Sequence, residues 1–172
     1  MDTIEITPAR VDDAQQILDL QRAAYRSVAE HYGVWDLPPL TQTLDELIAE
    51  YATHSILVAR HSPGIATTPR DPIVGSVRAR VVDGTAYVGR LAVAPDMHGR
   101  GIGRRLLWGI ERSTAPVHRY ELFTGDRSDR SLRMYERAGY RRIRAEQQPD
   151  TVTLVYMEKV VRRAAPVPAG PH

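Results

Sequence analysis

The chain has no cysteine, a single phenylalanine and a single lysine, Lys159. Without cysteine there can be no disulfide, thiolate metal site or cysteine nucleophile, and a reducing compartment is the natural setting. No apolar run approaches the roughly 20 residues that a helix needs to cross a bilayer. The opening MDTIEITPAR carries neither the basic segment nor the apolar core of a secretion signal. The expectation is a soluble, cytoplasmic protein with no membrane partner. A one-sided charge is missing too. The pI is 9.1, yet the formal net charge is only +2 and acids and bases alternate along the chain, which speaks against a nucleic-acid partner. That arginine supplies all but one of the 23 basic residues fits a bias toward arginine codons better than selection for phosphate-binding forks. What is present, 172 residues of which 42% are hydrophobic, suffices for one globular domain with a sizeable core.

Patterning predicts alternating elements. IEIT reads as a first strand. A helix is expected from about Asp12, with Ala14, Ile17, Leu18, Ala24, Tyr25 and Val28 at helical spacing. Pro38 and Pro39, in EHYGVWDLPPLTQ, bar its continuation. Thr43 and Glu46 have capping-box spacing and open a short second helix. SILVAR and PIVGSVRARVV read as strands joined by a mobile loop, HSPGIATTPRDP. Asp83-Gly84 is a hairpin turn into TAYVGRLAVAP. Ile102, Leu106, Leu107 and Ile110 form the stripe of a third helix. HRYELFT is a strand, SDRSLRMYERAG a helix with Ser128 as N-cap and Gly139 as C-cap, and TVTLVYMEKV a closing strand. The stretch 161–172, RRAAPVPAGPH with the residue before it, reads as a flexible tail behind a domain over 1–160.

Gly99, Gly101 and Gly103 fall within five positions, between the hairpin strand and the third helix. A glycine backbone turns sharply and lets a ligand approach, while the first N–H groups of a helix lack internal partners and carry about half a positive charge. Strand, glycine turn and helix start together make an anion site, most naturally for phosphate, to which Arg100, Arg104 and Arg105 would add charge. A tight turn alone is the plain alternative, but a turn needs one glycine rather than three. No Gly-Lys-Ser/Thr occurs, which excludes a P-loop. Glu121 lies 20 residues after Gly101, where a dinucleotide site would hold its ribose acid. Against that, Arg104 and Leu106 stand where a third glycine or alanine is required, and the preceding strand belongs to a hairpin rather than a βαβ unit.

LAVAPDMHGRGIGRRLL resembles the acetyl-CoA-binding motif of the GCN5-related N-acetyltransferase (GNAT) superfamily, Arg/Gln-x-x-Gly-x-Gly/Ala after a V-x-P strand end. TGDRSDRSLRMYERAGY is similar to the following strand and helix of that superfamily, Asn-x-x-Ala-x-x-x-Tyr-Glu-x-x-Gly-Phe/Tyr, and LVYMEK is also typical. The resemblance covers roughly residues 3–160. It implies an α/β (α+β) GNAT fold, with a mixed, mostly antiparallel central sheet splayed at the cofactor site and helices on both faces. Backbone groups of Leu91, Ala92 and Val93 would pair with the pantetheine arm of acetyl-CoA. Those of Gly99, Arg100, Gly101, Ile102, Gly103 and Arg104 would cradle its pyrophosphate. His98 stands where Arg or Gln is usual and Ser128 where Asn is usual, with Ser131 at the small-residue position. Tyr135 falls where the family places a tyrosine near the CoA sulfur.

The implied reaction is transfer of acetyl from acetyl-CoA to a primary amine by direct attack in a ternary complex. An amine with pKa of about 10.4 is almost wholly protonated at neutral pH, so the site needs a base or must depress the amine's pKa. The candidates are Glu121, on a strand beside the cleft, and Glu30, His31 and Asp36, in the connection that borders the acceptor site in the family. A backbone N–H of the splayed strand is the expected stabiliser of charge on the thioester oxygen. A thiol near about 8.5 is a stronger acid than a phenol near about 10, so full proton transfer from an unperturbed Tyr135 to the thiolate is uphill by about 2 kcal/mol. Tyr135 is therefore expected to act mainly by hydrogen bonding. Tyr32, Trp35 and His31 could wall an aromatic acceptor pocket, with loop packing the equal alternative for Trp35. Trp108, next to Leu107 on the third helix, is expected to serve packing, a subunit contact being one setting for it. His54, His61 and His118 have no ligand spacing, so no metal is expected. A non-catalytic acyl-CoA-binding regulatory module is the alternative function, and a dinucleotide-dependent oxidoreductase a distant third. The acceptor, small molecule or peptide, stays open; dimers are common in the family, so a homodimer stays open too.

Overall fold

The computed structural model describes residues 2–149 and 152–161. Seven strands form one sheet: β1 (Thr3–Pro8), β2 (Ser55–Ser62), β3 (Ile73–Val82), β4 (Thr85–Val93), β5 (Arg119–Gly125), β6 (Arg141–Gln147) and β7 (Thr153–Val160), in the order β1-β2-β3-β4-β5-β7-β6. All neighbours are antiparallel except β4 and β5, which run parallel. The helices are α1 (Ala14–Tyr32), α2 (Pro38–Thr41), α3 (Leu44–Glu50), α4 (Ile102–Thr114) and α5 (Asp129–Arg137).

Alternation along β2 decides which helices cover which face. Ile56 and Val58 join Ile17 and Leu18 of α1 and Leu47 of α3 in one apolar cluster. Leu57 and Ala59 join Leu106, Leu107 and Ile110 of α4 and Leu132 and Tyr135 of α5 in another. Successive side chains of a strand point to opposite faces, so helices cover both sides of the sheet. The stripe of α4 is as the spacing requires: Ile102, Leu106, Leu107 and Ile110 are each at most 1% exposed.

The turns follow their residue chemistry. Asp83 (φ 48°) and Gly84 (φ 74°) both take left-handed backbone, as a two-residue hairpin turn demands. A Cβ at Gly84 would also strike the His118 ring. Thr43 and Glu46 form the reciprocal capping box. A buried ion pair, Arg60 to Asp13 at 2.6 Å, ties β2 to the 3-10 turn Val11–Asp13 that precedes α1.

Several elements depart from the sequence reading. Strand β6 was not foreseen: RRIRAEQ is almost wholly polar and exposed because it forms the sheet edge, where charged residues are the usual protection. Pro38 and Pro39 do not terminate α1, which ends at Gly33 (φ 70°); they open α2, where a proline's missing N–H costs nothing. At the end of α5 the cap is Ala138, with Gly139 (φ 97°) one residue beyond, and Ser128 stands at the N-cap without a side-chain bond. In the 63–72 connection, Arg60 donates to the Pro69 and Asp71 carbonyls and Thr3 to the Gly64 carbonyl. Within the single chain Trp108 is 60% exposed, with the Arg112 guanidinium 4.5 Å from its ring centre. The tail from 162 onward lies outside the described residues.

Candidate active site

Parallel pairing of β4 with β5 stops after Tyr87 and Glu121, while β4 continues to Val93 along β3. The two strands therefore diverge, and a cleft of about 960 Å³ opens between them. Its walls are Tyr87 to Val93 of β4 and Glu121 to Gly125 of β5, closed by Tyr25, Val28 and Tyr32 of α1 and by Ser128, Ser131 and Tyr135 next to and on α5. On the β5 side, the backbone of Leu91, Ala92 and Val93 has no strand partner. An unpaired strand edge accepts an extended chain as though it were another strand.

The glycine turn adjoins this edge. Gly99 (φ 81°) and Gly101 (φ 74°) are left-handed, and a Cβ on either would meet nothing within 4 Å. Conformation, not crowding, thus requires these two glycines. Gly103 differs: a Cβ there would lie 3.2 Å from the Met134 sulfur and 3.8 Å from Val93, so its absence lets α4 start close to α5 and the end of β4. Gly101 caps α4 without a side-chain acceptor, which leaves the N–H groups of Ile102, Gly103 and Arg104 open to an anion. Arg104 is exposed, Arg100 stands 3.6 Å from Asp2, and Arg105 donates to the Ile4 carbonyl. His98 turns back so that its Nε2 lies 3.2 Å from the Val93 carbonyl oxygen, one of the groups on the open edge.

Tyr135 is 7% exposed, its ring tilted against that of Tyr140 with centres 6.0 Å apart, yet among the described residues its hydroxyl has no hydrogen-bond partner. Burial, and then proximity to Tyr25, raise its pKa well above the phenolic value. Tyr25 is also raised by burial, with Arg90 and Arg78 pulling the other way. Ser128 and Ser131 both line the cleft. Glu121 lines it too, but its carboxylate is held by Arg119 at 2.8 Å and Arg144 at 3.4 Å, so neither oxygen stands free of a guanidinium. Glu30 is exposed on α1 and does not line the cleft. Tyr32 is buried and bridges the two halves: its hydroxyl accepts from the Arg127 N–H at 2.7 Å, and Arg127 stacks on its ring. Trp35, 58% exposed, and His31 lie outside the lining.

Sequence reasoning missed the polar floor of the cleft. Arg78, 4% exposed on β3, pairs with Glu50 at 2.6 Å and donates to Gln42; burial lowers its pKa to about 10. His54 lines the cleft beside Glu50 and Arg78, its pKa lowered chiefly by burial, so it is neutral at pH 7. A signal for Arg78 did exist: in SVRARVV, Val77 and Ala79 alternate with Arg78 and Arg80. No local signal marked His54. Among the described residues no group of three or more His, Asp or Glu side chains could hold a metal, and no helix is long and apolar enough to cross a membrane.

An open strand edge beside an anion-binding turn suits a long ligand, extended at one end and phosphorylated at the other, and the fold that carries it is a mixed sheet splayed at a single strand pair. The profile described as Acetyltransferase (GNAT) domain matches residues 24–161, and the chain belongs to that family of acetyltransferases. No curated protein matches it in sequence. Among solved structures, the ribosomal-protein-S18-alanine N-acetyltransferase of Escherichia coli is similar at TM-score 0.73 and 16% identity, covering 96% of this chain and 97% of its own. YncA from Salmonella typhimurium, solved with its cofactor acetyl-CoA, gives 0.72 and 19% over 97% and 99%. The PaiA N-acetyltransferase of Thermoplasma acidophilum, in complex with coenzyme A, gives 0.70 and 16% over 92% and 99%. At these identities the likeness is one of fold.

Proposed function

We propose that this protein transfers an acetyl group from acetyl-CoA to a primary amine by direct attack within a ternary complex. The observation that carries the proposal is the unpaired edge of β4 at Leu91, Ala92 and Val93, continuous with the glycine turn at the start of α4. Both relatives solved with coenzyme A or acetyl-CoA share this fold, and the residues fit such a ligand. The β4 edge takes the amides of the pantetheine arm, and the free N–H groups from Gly99 to Arg104 take the pyrophosphate, with Arg104 adding charge.

Acetyl-CoA supplies an activated thioester; the chain's task is to orient it, to receive a proton from the amine and to settle the departing sulfur. Tyr135 does the last by donating a hydrogen bond. Its raised pKa makes complete proton transfer to a thiolate more uphill than for an ordinary phenol. For the amine's proton, His54 is neutral and lines the cleft, whereas Glu121 is engaged by two arginines and Glu30 faces solvent. His54 is accordingly the favoured acceptor, reached directly or through water. Ser128 and Ser131 offer hydroxyls to the cofactor from the α5 side.

Thermal stabilisation by acetyl-CoA, measured together with release of CoA thiol across a panel of amines, tests this reading. Stabilisation with thiol release for one amine class supports it. Stabilisation without release across the panel favours the non-catalytic acyl-CoA-binding module, and no stabilisation rejects the cleft assignment.

A further inference from the structure

Three arginines line the cleft, and two of them are already matched. Arg78 is paired with Glu50 at 2.6 Å. Arg144 stands 3.4 Å from Glu121 and 2.9 Å from Glu146, and lies over the Tyr156 ring. Among the described residues Arg90 has neither a carboxylate within ion-pair distance nor a hydrogen-bond acceptor, although it lines the same cavity. The remaining carboxylate of the lining, Asp36, is exposed in the connection between α1 and α2.

The position of Arg90 is built rather than incidental. Between Ser76↔Ala92 and Arg78↔Gly89, β4 advances three residues while β3 advances two, so β4 carries a bulge there. Arg90 occupies it with φ 53°. A non-glycine residue holds left-handed backbone at a cost of about 1–3 kcal/mol and persists where the surroundings enforce it; bulges commonly re-aim a side chain next to an active site. Arg90 sits close enough to Tyr25 of α1 and to Arg78 of β3 to influence both electrostatically. Tyr25 in turn lies near Tyr135, and like Tyr135 its hydroxyl has no partner among the described residues. The acid–base balance around Arg90 is thus one of donors lacking an acceptor.

We infer that Arg90, with the Tyr25 hydroxyl, binds a carboxylate on the acceptor, so that the substrate is a small amine bearing a carboxylate, a free amino acid being the simplest. This deepens the transferase reading and rests on it. A cofactor phosphate is a poorer match for Arg90. The phosphate-binding turn follows Val93, whereas Arg90 precedes Leu91, toward the point where β4 and β5 part and beside Tyr25, whose neighbour is Tyr135. The aromatic lining of Tyr25, Tyr32, Phe123 and Tyr156 leaves room for an apolar or flat side chain on such an acceptor.

The test compares amino acids with their decarboxylated counterparts: L-tyrosine with tyramine, L-phenylalanine with phenethylamine, L-arginine with agmatine, L-lysine with cadaverine. CoA thiol release is followed for wild type, Arg90→Gln and Arg90→Lys, alongside calorimetric binding of the same amino acids to the CoA-loaded protein. A bidentate bond to a carboxylate is lost with the acid, so kcat/KM for the preferred amino acid should exceed that of its partner amine by about tenfold or more. Arg90→Gln should remove that preference by raising KM at nearly constant kcat and acetyl-CoA affinity, and Arg90→Lys should restore part of it. Equal turnover of the decarboxylated amines by wild type overturns the inference and leaves the transferase intact, as does loss of acetyl-CoA affinity rather than acceptor affinity in Arg90→Gln. Amino-acid binding that depends on Arg90 without any thiol release supports the carboxylate site and overturns the transferase reading. No amino-acid binding to the CoA-loaded protein overturns the inference.

Discussion

Replacing Tyr135 by Phe separates the two things this residue does. Its ring is 7% exposed and lies 6.0 Å from that of Tyr140, contacts that phenylalanine keeps. Its hydroxyl has no partner among the described residues, so no internal hydrogen bond is lost and stability should change by less than about 1 kcal/mol. Catalysis should suffer more. A hydrogen bond to a charged group contributes about 1.5–3 kcal/mol, and a sulfur leaving as thiolate is such a group only during reaction. The expected loss in kcat is therefore about 10- to 150-fold, with acetyl-CoA affinity within about twofold, since the bond matters little to the ground state. Because burial holds the Tyr135 pKa above the phenolic value, the hydroxyl stays protonated from neutral pH to beyond about pH 10. The pH profile of kcat should then keep its shape in the variant while dropping in height. Steady-state thiol release, calorimetry with acetyl-CoA and thermal unfolding supply the three numbers. An unchanged kcat, or a loss confined to acetyl-CoA affinity, would refute the argument.

Three further outcomes follow from other contacts. Arg60→Ala strands the buried Asp13 carboxylate, 5% exposed and 2.6 Å from the guanidinium; a cost of about 3–5 kcal/mol is expected, and chemical denaturation should give it, together with faster proteolysis in the 63–72 connection. Gly101→Ala has open space but positive φ, so it should cost about 1 kcal/mol through strain alone and weaken acetyl-CoA binding by tilting the first N–H groups of α4, measured by calorimetry. Tyr25, Tyr51, Tyr135 and Tyr140 all have raised pKa values, Tyr51 to about 12. The stability these groups give below about pH 10 is lost as pH rises beyond it, because the unfolded chain ionises first. The melting temperature should therefore fall steadily above that pH.

The elements that the sequence disclosed are those whose signals are local. The Asp83-Gly84 turn, the Thr43–Glu46 capping box and the α4 stripe each depend on a few adjacent side chains, and each forms as read. Strand β6 was missed because its stability comes from pairing with β7 rather than from apolar alternation. The glycine turn was readable because its glycines are close together in sequence: Gly99 and Gly101 serve a backbone need, and Gly103 a close approach to Met134 and Val93. The polar floor was not, since Glu50, His54, Arg78 and Arg90 come from a helix end, a turn and two strands, and the bulge that holds Arg90 is a matter of β3–β4 register. Glu30 and Glu121 looked alike as candidate bases in sequence. Their difference is tertiary: one is a solvated side chain of α1, the other is buried between two guanidinium groups.

The most direct test of acetyl transfer is the stoichiometry of its products. The protein is incubated with acetyl-CoA and an amine, and both the CoA thiol and the acetylated amine are quantified by mass spectrometry. One acetylated amine per thiol released is the expected result, with both falling together in Tyr135→Phe. Thiol released without acetylated amine, or at a rate indifferent to the amine, would mean thioester hydrolysis and would contradict the assignment.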